Sequence, residues 1–150
     1  KRNLIPVNYL NKITKFQINE IFNQLDNFQD IIKVRLENAK ILEENLKDNK
    51  NIILPNINQE CDTFQTYPIL IKNSQKEKLY KFLLKHNFDI SKYYYRNCSS
   101  LSVFNEFGKK CINSEFYSNN VITLPCYPYI NKEYLIKLSK EINLFFENEK

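Results

Sequence analysis

One run in this chain has the residue types and spacing for ligand chemistry: Lys92-Tyr93-Tyr94-Tyr95-Arg96. In an extended strand neighbouring side chains point to opposite faces, so at least one tyrosine ring faces a cleft with its hydroxyl free. Lys92 and Arg96 flank the rings and suit an anionic group such as a diphosphate. The same run also reads as a strand edge whose tyrosines pack beneath the last helix, and the residues alone leave both readings open. Elsewhere the search for chemistry is thin. The single histidine, His86, falls at a helix end, where it favours the negative end of the dipole. It builds no Ser-His-Asp arrangement there. The single glycine, Gly108, excludes glycine-rich phosphate loops. The four cysteines, Cys61, Cys98, Cys111 and Cys126, lie far apart without a CxxC pair, which is not a metal-site spacing. They read as reduced thiols of a cytoplasmic protein, used for packing.

The elements that must position this run follow from periodicity. From Leu25, residues at Phe28, Ile32, Arg35, Ala39, Leu42 and Leu46 recur at steps of three and four, one face of an amphipathic helix. Ile13, Phe16 and Ile21 continue that face upstream. No proline or glycine intervenes between Val7 and Lys50, so the spacing predicts one long or gently kinked helix over 13–46. Two helices folded as a hairpin near Asp26–Asn27 are the alternative. So long a helix outruns a domain of this size, and residues 1–30 are expected to pack on something the chain does not itself supply.

Downstream, Asn49 is expected to stop the long helix in a left-handed conformation. Ile52–Leu54 reads as a short strand closed by Pro55, and Thr63–Ile71 as a second one interrupted by Pro68, which suits an edge or a bulge. Ser74 with Glu77 predicts a capping box for a helix ending at His86-Asn87, with Asn87 in the place of a glycine. Phe88–Tyr95 reads as a strand, Ser114–Asn119 as a short helix and Val121–Leu124 as a strand stopped by Pro125. Asn131 caps a last helix bearing Tyr134, Leu135, Leu138, Ile142, Phe145 and Phe146. The expected fold is α/β, an α+β-like small domain. It has a long N-terminal helix, a small mixed or antiparallel sheet of about four short strands, and helices packed on one face.

With 150 residues the chain makes one domain, 1–150. It contains no methionine, so it reads as a piece of something longer. A net charge of +5 with only three arginines (Arg2, Arg35, Arg96) argues against a nucleic-acid reader. No apolar run is long enough for a membrane span.

Several short runs, in order, resemble the C-terminal small domain of the DegT/DnrJ/EryC1/StrS family of pyridoxal-phosphate sugar aminotransferases. Lys12-Ile13-Thr14-Lys15-Phe16-Gln17 is similar to the start of that family's interdomain helix, and Arg35-Leu36-Glu37-Asn38-Ala39 to its R-x-x-x-A segment. Leu54-Pro55, Tyr67–Ile71, Leu79–Leu84 and Phe88-Asp89-Ile90 fall in family order. Val121-Ile122-Thr123-Leu124-Pro125 followed by Tyr127-Pro128 is similar to its closing strand and turn. Lys92–Tyr95 resembles the aromatic substrate loop of members acting on nucleotide-linked deoxysugars.

The resemblance implies a homodimer using pyridoxal phosphate, glutamate and a nucleotide-linked ketosugar. A large N-terminal domain, absent here, would carry the Schiff-base lysine. Lys92, Tyr93, Tyr94, Tyr95 and Arg96 would then contact substrate, and Asn8, Asn11 and Lys12 would lie toward the cofactor. No catalytic residue and no metal site are expected in this chain. Departures from the family pattern mark divergence. Leu10 stands where an asparagine normally reaches the cofactor phosphate, and leucine cannot donate a hydrogen bond. Ile18, Asn19 and Glu20 replace small residues at a tight helix contact. A degenerate relative serving as a binding or assembly module is therefore the competing reading.

Overall fold

In the computed structural model of the chain, which describes residues 12–58, 62–92, 97–107 and 111–148, the long apolar stripe is divided between two helices. These are α1 (Lys15–Leu25) and α2 (Phe28–Leu46). Thr14 opens α1 with a complete capping box, its hydroxyl accepting from the N–H of Gln17 while the Gln17 side chain accepts from the N–H of Thr14. The break falls at Asp26 and Asn27, whose backbones (φ −61, ψ −32 and φ −97, ψ 0) stay near the right-handed helical region. The chain therefore bends there rather than reversing. No residue of α1 is buried, as a hairpin would require.

The second half of α2 enters the core through Ala39, Leu42 and Leu46. Beyond it come β1 (Ile52–Ile53), β2 (Thr66–Ile71), α3 (Lys76–Lys85), two 3-10 turns (Cys98–Ser100 and Ser102–Phe107), α4 (Ile112–Asn120), β3 (Val121–Pro125) and α5 (Lys132–Asn148). The sheet is antiparallel with order β1-β2-β3. Tyr67, Ile69 and Ile71 of β2 and Ile122 and Leu124 of β3 are fully buried against α2, α3 and α5. Period-two alternation sends these residues to a single face, and the helices supply the apolar layer that covers it. The fourth strand expected at 88–95 contributes, among the described residues, a single bridge: Ser91 and Thr123 exchange both backbone hydrogen bonds at 3.0 and 2.9 Å.

That bridge explains how Pro68 sits in the central strand. Thr123 is the partner of Pro68 in β3, and its N–H and C=O point away toward Ser91. Pro68 thus belongs to a non-hydrogen-bonded pair, with its own nitrogen turned to the other side of β2. There β1 pairs only with Leu70 and Ile71. The missing N–H leaves no ladder bond unmade.

Two terminations differ from the sequence expectation. Ser74 is not a cap: Asn73 and Ser74 both adopt positive φ (59° and 57°), and α3 starts after Gln75 without a side-chain cap. The tight β2–α3 turn takes up those residues, and the Glu77 carboxylate goes to Lys92 instead. Asn49 is not left-handed. Its side chain accepts from the N–H of Asn51 at 3.0 Å and donates to Asn143 of α5 at 2.7 Å, tying the end of α2 to the last helix. Asn87, by contrast, has φ 62° and ends α3 as a glycine would. Asn131 caps α5 through the N–H of Glu133 at 2.8 Å. Among the described residues no helix is long and apolar enough to cross a membrane.

Candidate functional site

Beside the Ser91–Thr123 bridge, the start of the buried half of α2 faces the open ends of β2 and β3 across a cleft of about 260 Å³. Its polar wall is made by Arg35, Gln65, Thr66, Asp89, Ser91 and Tyr127. Each is placed by local structure. Arg35 lies on the inward stripe of α2, and its carbonyl accepts from the Cys126 thiol at 3.2 Å. One turn further on, Asn38, 1% exposed, donates to the carbonyl of Tyr127 at 3.0 Å, which fixes the loop after β3 against α2. Asp89 is held by its backbone N–H, which donates to the Tyr134 hydroxyl of α5 at 2.6 Å. Ser91 is pinned by the bridge and by the Thr123 hydroxyl, which donates to its carbonyl at 3.1 Å.

The electrostatics of the cleft are uneven. The Arg35 Nε is buried without a hydrogen-bond partner. Burial pushes the neighbouring Cys126 thiol up to about 12, only partly offset by Arg35, so this cysteine is an inert packing group. Burial likewise raises the Tyr134 phenol. No group of three or more potential metal ligands occurs among the described residues.

The sequence-predicted site residues divide into two sets. Asn8, Asn11, Tyr93, Tyr94, Tyr95 and Arg96 lie outside the described residues. Lys92 and Lys12 lie within them. The Lys92 ammonium is 2.5 Å from a Glu77 carboxylate oxygen and 4.0 Å from the centroid of the Tyr80 ring. It is thus committed to α3, and an incoming anion would compete with Glu77 for it. The hydrogen bond from Lys92 in turn holds the Glu77 carboxyl below its ordinary range. Lys12 is exposed ahead of α1. His86 is the C-cap of α3, edge-on to Phe82, in the structural role its position suggested.

Arg35 is the site residue that the search for chemistry passed over. The signal was present: it is the only charged member of the series Leu25, Phe28, Ile32, Arg35, Ala39, Leu42 and Leu46. A guanidinium on a core-facing stripe must find an anion, a cleft or solvent.

Among the described residues, no buried lysine is free to take up a pyridoxal-type cofactor. Lys76 is the one buried lysine among them, 4% exposed, and desolvation lowers its pKa. That property suits a lysine that reacts with carbonyl groups. Its ammonium, however, is bonded to the Ser118 carbonyl at the end of α4, where it locks α3 to α4.

Residues 4–143 match the sequence model of the DegT/DnrJ/EryC1/StrS aminotransferase family. The fold is similar to that of DesV from S. venezuelae, solved with a ketimine intermediate (TM-score 0.83, 14% identity, 91% of this chain and 37% of that one). It is also similar to Helicobacter pylori PseC, an aminotransferase of pseudoaminic acid biosynthesis (TM-score 0.75, 19% identity, 85% and 36%). A family aminotransferase from Brucella abortus gives TM-score 0.73 at 20% identity, over 83% of this chain and 33% of that one. The chain thus spans about a third of each structure it resembles. Among curated proteins no sequence match was found.

Proposed function

Because this chain belongs to the DegT/DnrJ/EryC1/StrS aminotransferase family, we propose that it is the C-terminal small-domain part of a pyridoxal-phosphate-dependent enzyme. That enzyme aminates a nucleotide-linked ketosugar, with glutamate as nitrogen donor, in the making of amino sugars for polysaccharides. The observation that carries the reading is the family match over residues 4–143. Pyridoxal phosphate, when bound, supplies the electron sink for amine transfer. A larger part of the protein holds it, and this chain by itself does not transaminate.

The chain's share of the work is binding and closure. Ser91 is anchored to β3, and Lys92 follows it directly in sequence. Lys92 with Tyr93, Tyr94, Tyr95 and Arg96 contacts the sugar nucleotide. The exposed apolar face of α1, with Phe16 at 73% and Phe22 at 64% exposure, packs against the larger part of a cytoplasmic homodimer.

The pairing of Lys92 with Glu77, together with Leu10 in the place of a hydrogen-bonding residue, favours a second reading. In it the protein is a non-catalytic relative that uses this domain for binding or assembly. One experiment separates the two. The longest native polypeptide is loaded with pyridoxal phosphate, freed of excess, and its visible absorbance recorded before and after borohydride. A retained band that borohydride converts to a lysine adduct outside this chain supports the aminotransferase. A folded protein that keeps no cofactor leaves the binding module.

A further inference from the structure

We propose that Asn97 is a positioning residue for the sugar-nucleotide contact, tying the chain just after Arg96 to α4 through the Ser114 hydroxyl. This role rests on the aminotransferase reading and deepens it, because it concerns what holds the contact residues and not which they are.

Asn97 directly follows Arg96 in sequence and is 8% exposed. Its side-chain carbonyl accepts twice, from the N–H of Ser99 at 3.2 Å and from the hydroxyl of Ser114 in α4 at 3.0 Å. Its backbone carbonyl accepts from the N–H of Ser100 at 3.0 Å and from the Ser100 hydroxyl at 2.7 Å. The bonds to Ser99 and Ser100 are local and cap the 3-10 turn Cys98–Ser100. The bond to Ser114 spans 17 residues of sequence, and the turn does not need it.

α4 is held in turn from its other end. The Ser118 carbonyl, on a residue 7% exposed, accepts from the ammonium of Lys76, the first residue of α3. The next residue of α3, Glu77, takes the ammonium of Lys92. Hydrogen bonds thus lead from Asn97 through α4 to Lys76, and from the adjacent Glu77 to Lys92. Both residues that flank Tyr93–Arg96 are therefore referred to the start of α3, and Ser91 adds its bond pair with Thr123 of β3. Burying the Lys76 ammonium costs solvation, and this chain of bonds is what the buried group serves. Contact residues held before a ligand arrives leave less ordering entropy to be lost on binding.

The test is calorimetric titration of the whole native polypeptide with UDP and with dTDP, beside circular dichroism and thermal unfolding. Ser114 is exposed, and Ser114→Val and Ser114→Thr put the same shape there without and with the hydroxyl. Ser114→Thr should bind a diphosphate as wild type does. Ser114→Val should bind it about fivefold more weakly, the equilibrium effect of one lost hydrogen bond. Asn97→Leu, which removes the acceptor, should be at least as weak. Equal binding by the Ser114→Val and Ser114→Thr proteins would overturn the proposal. So would an Asn97→Leu protein that loses thermal stability yet binds as wild type, and both results leave the aminotransferase reading standing. A folded whole protein that takes up neither diphosphate overturns the anchor together with the nucleotide-linked substrate, while retention of pyridoxal phosphate reports on the remainder of that reading.

Discussion

The hydroxyl of Tyr134 accepts a hydrogen bond from the backbone N–H of Asp89 at 2.6 Å, joining α5 to the segment that leads out of α3. The Tyr134 ring also meets Phe88 nearly edge-on, with centroids 5.4 Å apart. One residue of the last helix therefore sets both the packing and the direction of the chain entering the cleft. Tyr134→Phe keeps the ring contact and removes the acceptor. We expect a loss of about 1 kcal/mol in urea denaturation. Unchanged stability would mean that solvent replaces the hydroxyl.

Asn87 holds φ 62° at the end of α3. Asn87→Gly should be neutral or slightly stabilising, because glycine takes this conformation without a Cβ clash. Asn87→Val should cost about 1–2 kcal/mol, since a β-branched residue pays the full left-handed penalty. Denaturation midpoints of the two variants check the order. A valine variant as stable as wild type would place the helix end elsewhere.

Lys76 gives a pH signature. Desolvation lowers its pKa from the ordinary 10.5, so between the two values the unfolded chain binds more protons than the folded one. Stability from this group therefore rises with pH across that window and is flat above 10.5. Lys76→Met should remove the rise. It should also speed amide exchange in α4, which loses its link through the Ser118 carbonyl. An unchanged stability–pH slope between wild type and variant would refute the assignment.

Glu77 is held below its usual range chiefly by the hydrogen bond from Lys92. A depressed carboxyl contributes stability that is present above its unfolded value and lost as pH falls through the folded one. The pair is partly exposed, 23% at Lys92 and 61% at Glu77, so screening keeps its share below about 1 kcal/mol. Glu77→Gln should accordingly cost little stability. If Lys92 serves the anion of a substrate, the same variant should tighten binding of a nucleoside diphosphate, measured by titration. No change would assign Lys92 to the α3 contact alone.

The apolar face of α1 carries Phe16, Ile21, Phe22 and Leu25, all exposed, and Ile13 just ahead of the helix is exposed too. The 150-residue chain produced alone should self-associate through that face. Phe16→Glu with Phe22→Glu should return it to a monomer in sedimentation velocity without altering its circular dichroism. A wild-type chain that sediments as a monomer would contradict the docking role.

Much of the frame was legible in the sequence because its causes are local. The steps of three and four that bury Ala39, Leu42 and Leu46 follow from helical geometry, and those that bury Leu138, Ile142 and Phe146 have the same cause. Asn87 and Asn131 act through their own backbones or through residues two positions away, so residue type and position sufficed. The capping box expected at Ser74 did not form. The competing need there is a turn with two left-handed residues, which depends on where β2 delivers the chain.

What tertiary structure alone decided depends on partners far along the chain. Pro68 is tolerated in a central strand because Thr123 turns its backbone to Ser91, and no property of residues 63–71 contains that fact. Lys92 looked like a free cation until α3 brought Glu77 to it. Arg35, read as one step in an apolar pattern, became the charged wall of a cleft only when β3 and the Asp89–Ser91 segment closed around it. Periodicity reports which side of an element faces inward. Which groups meet there is set by packing between elements, and pairing, desolvation and cleft shape come into being only with that packing.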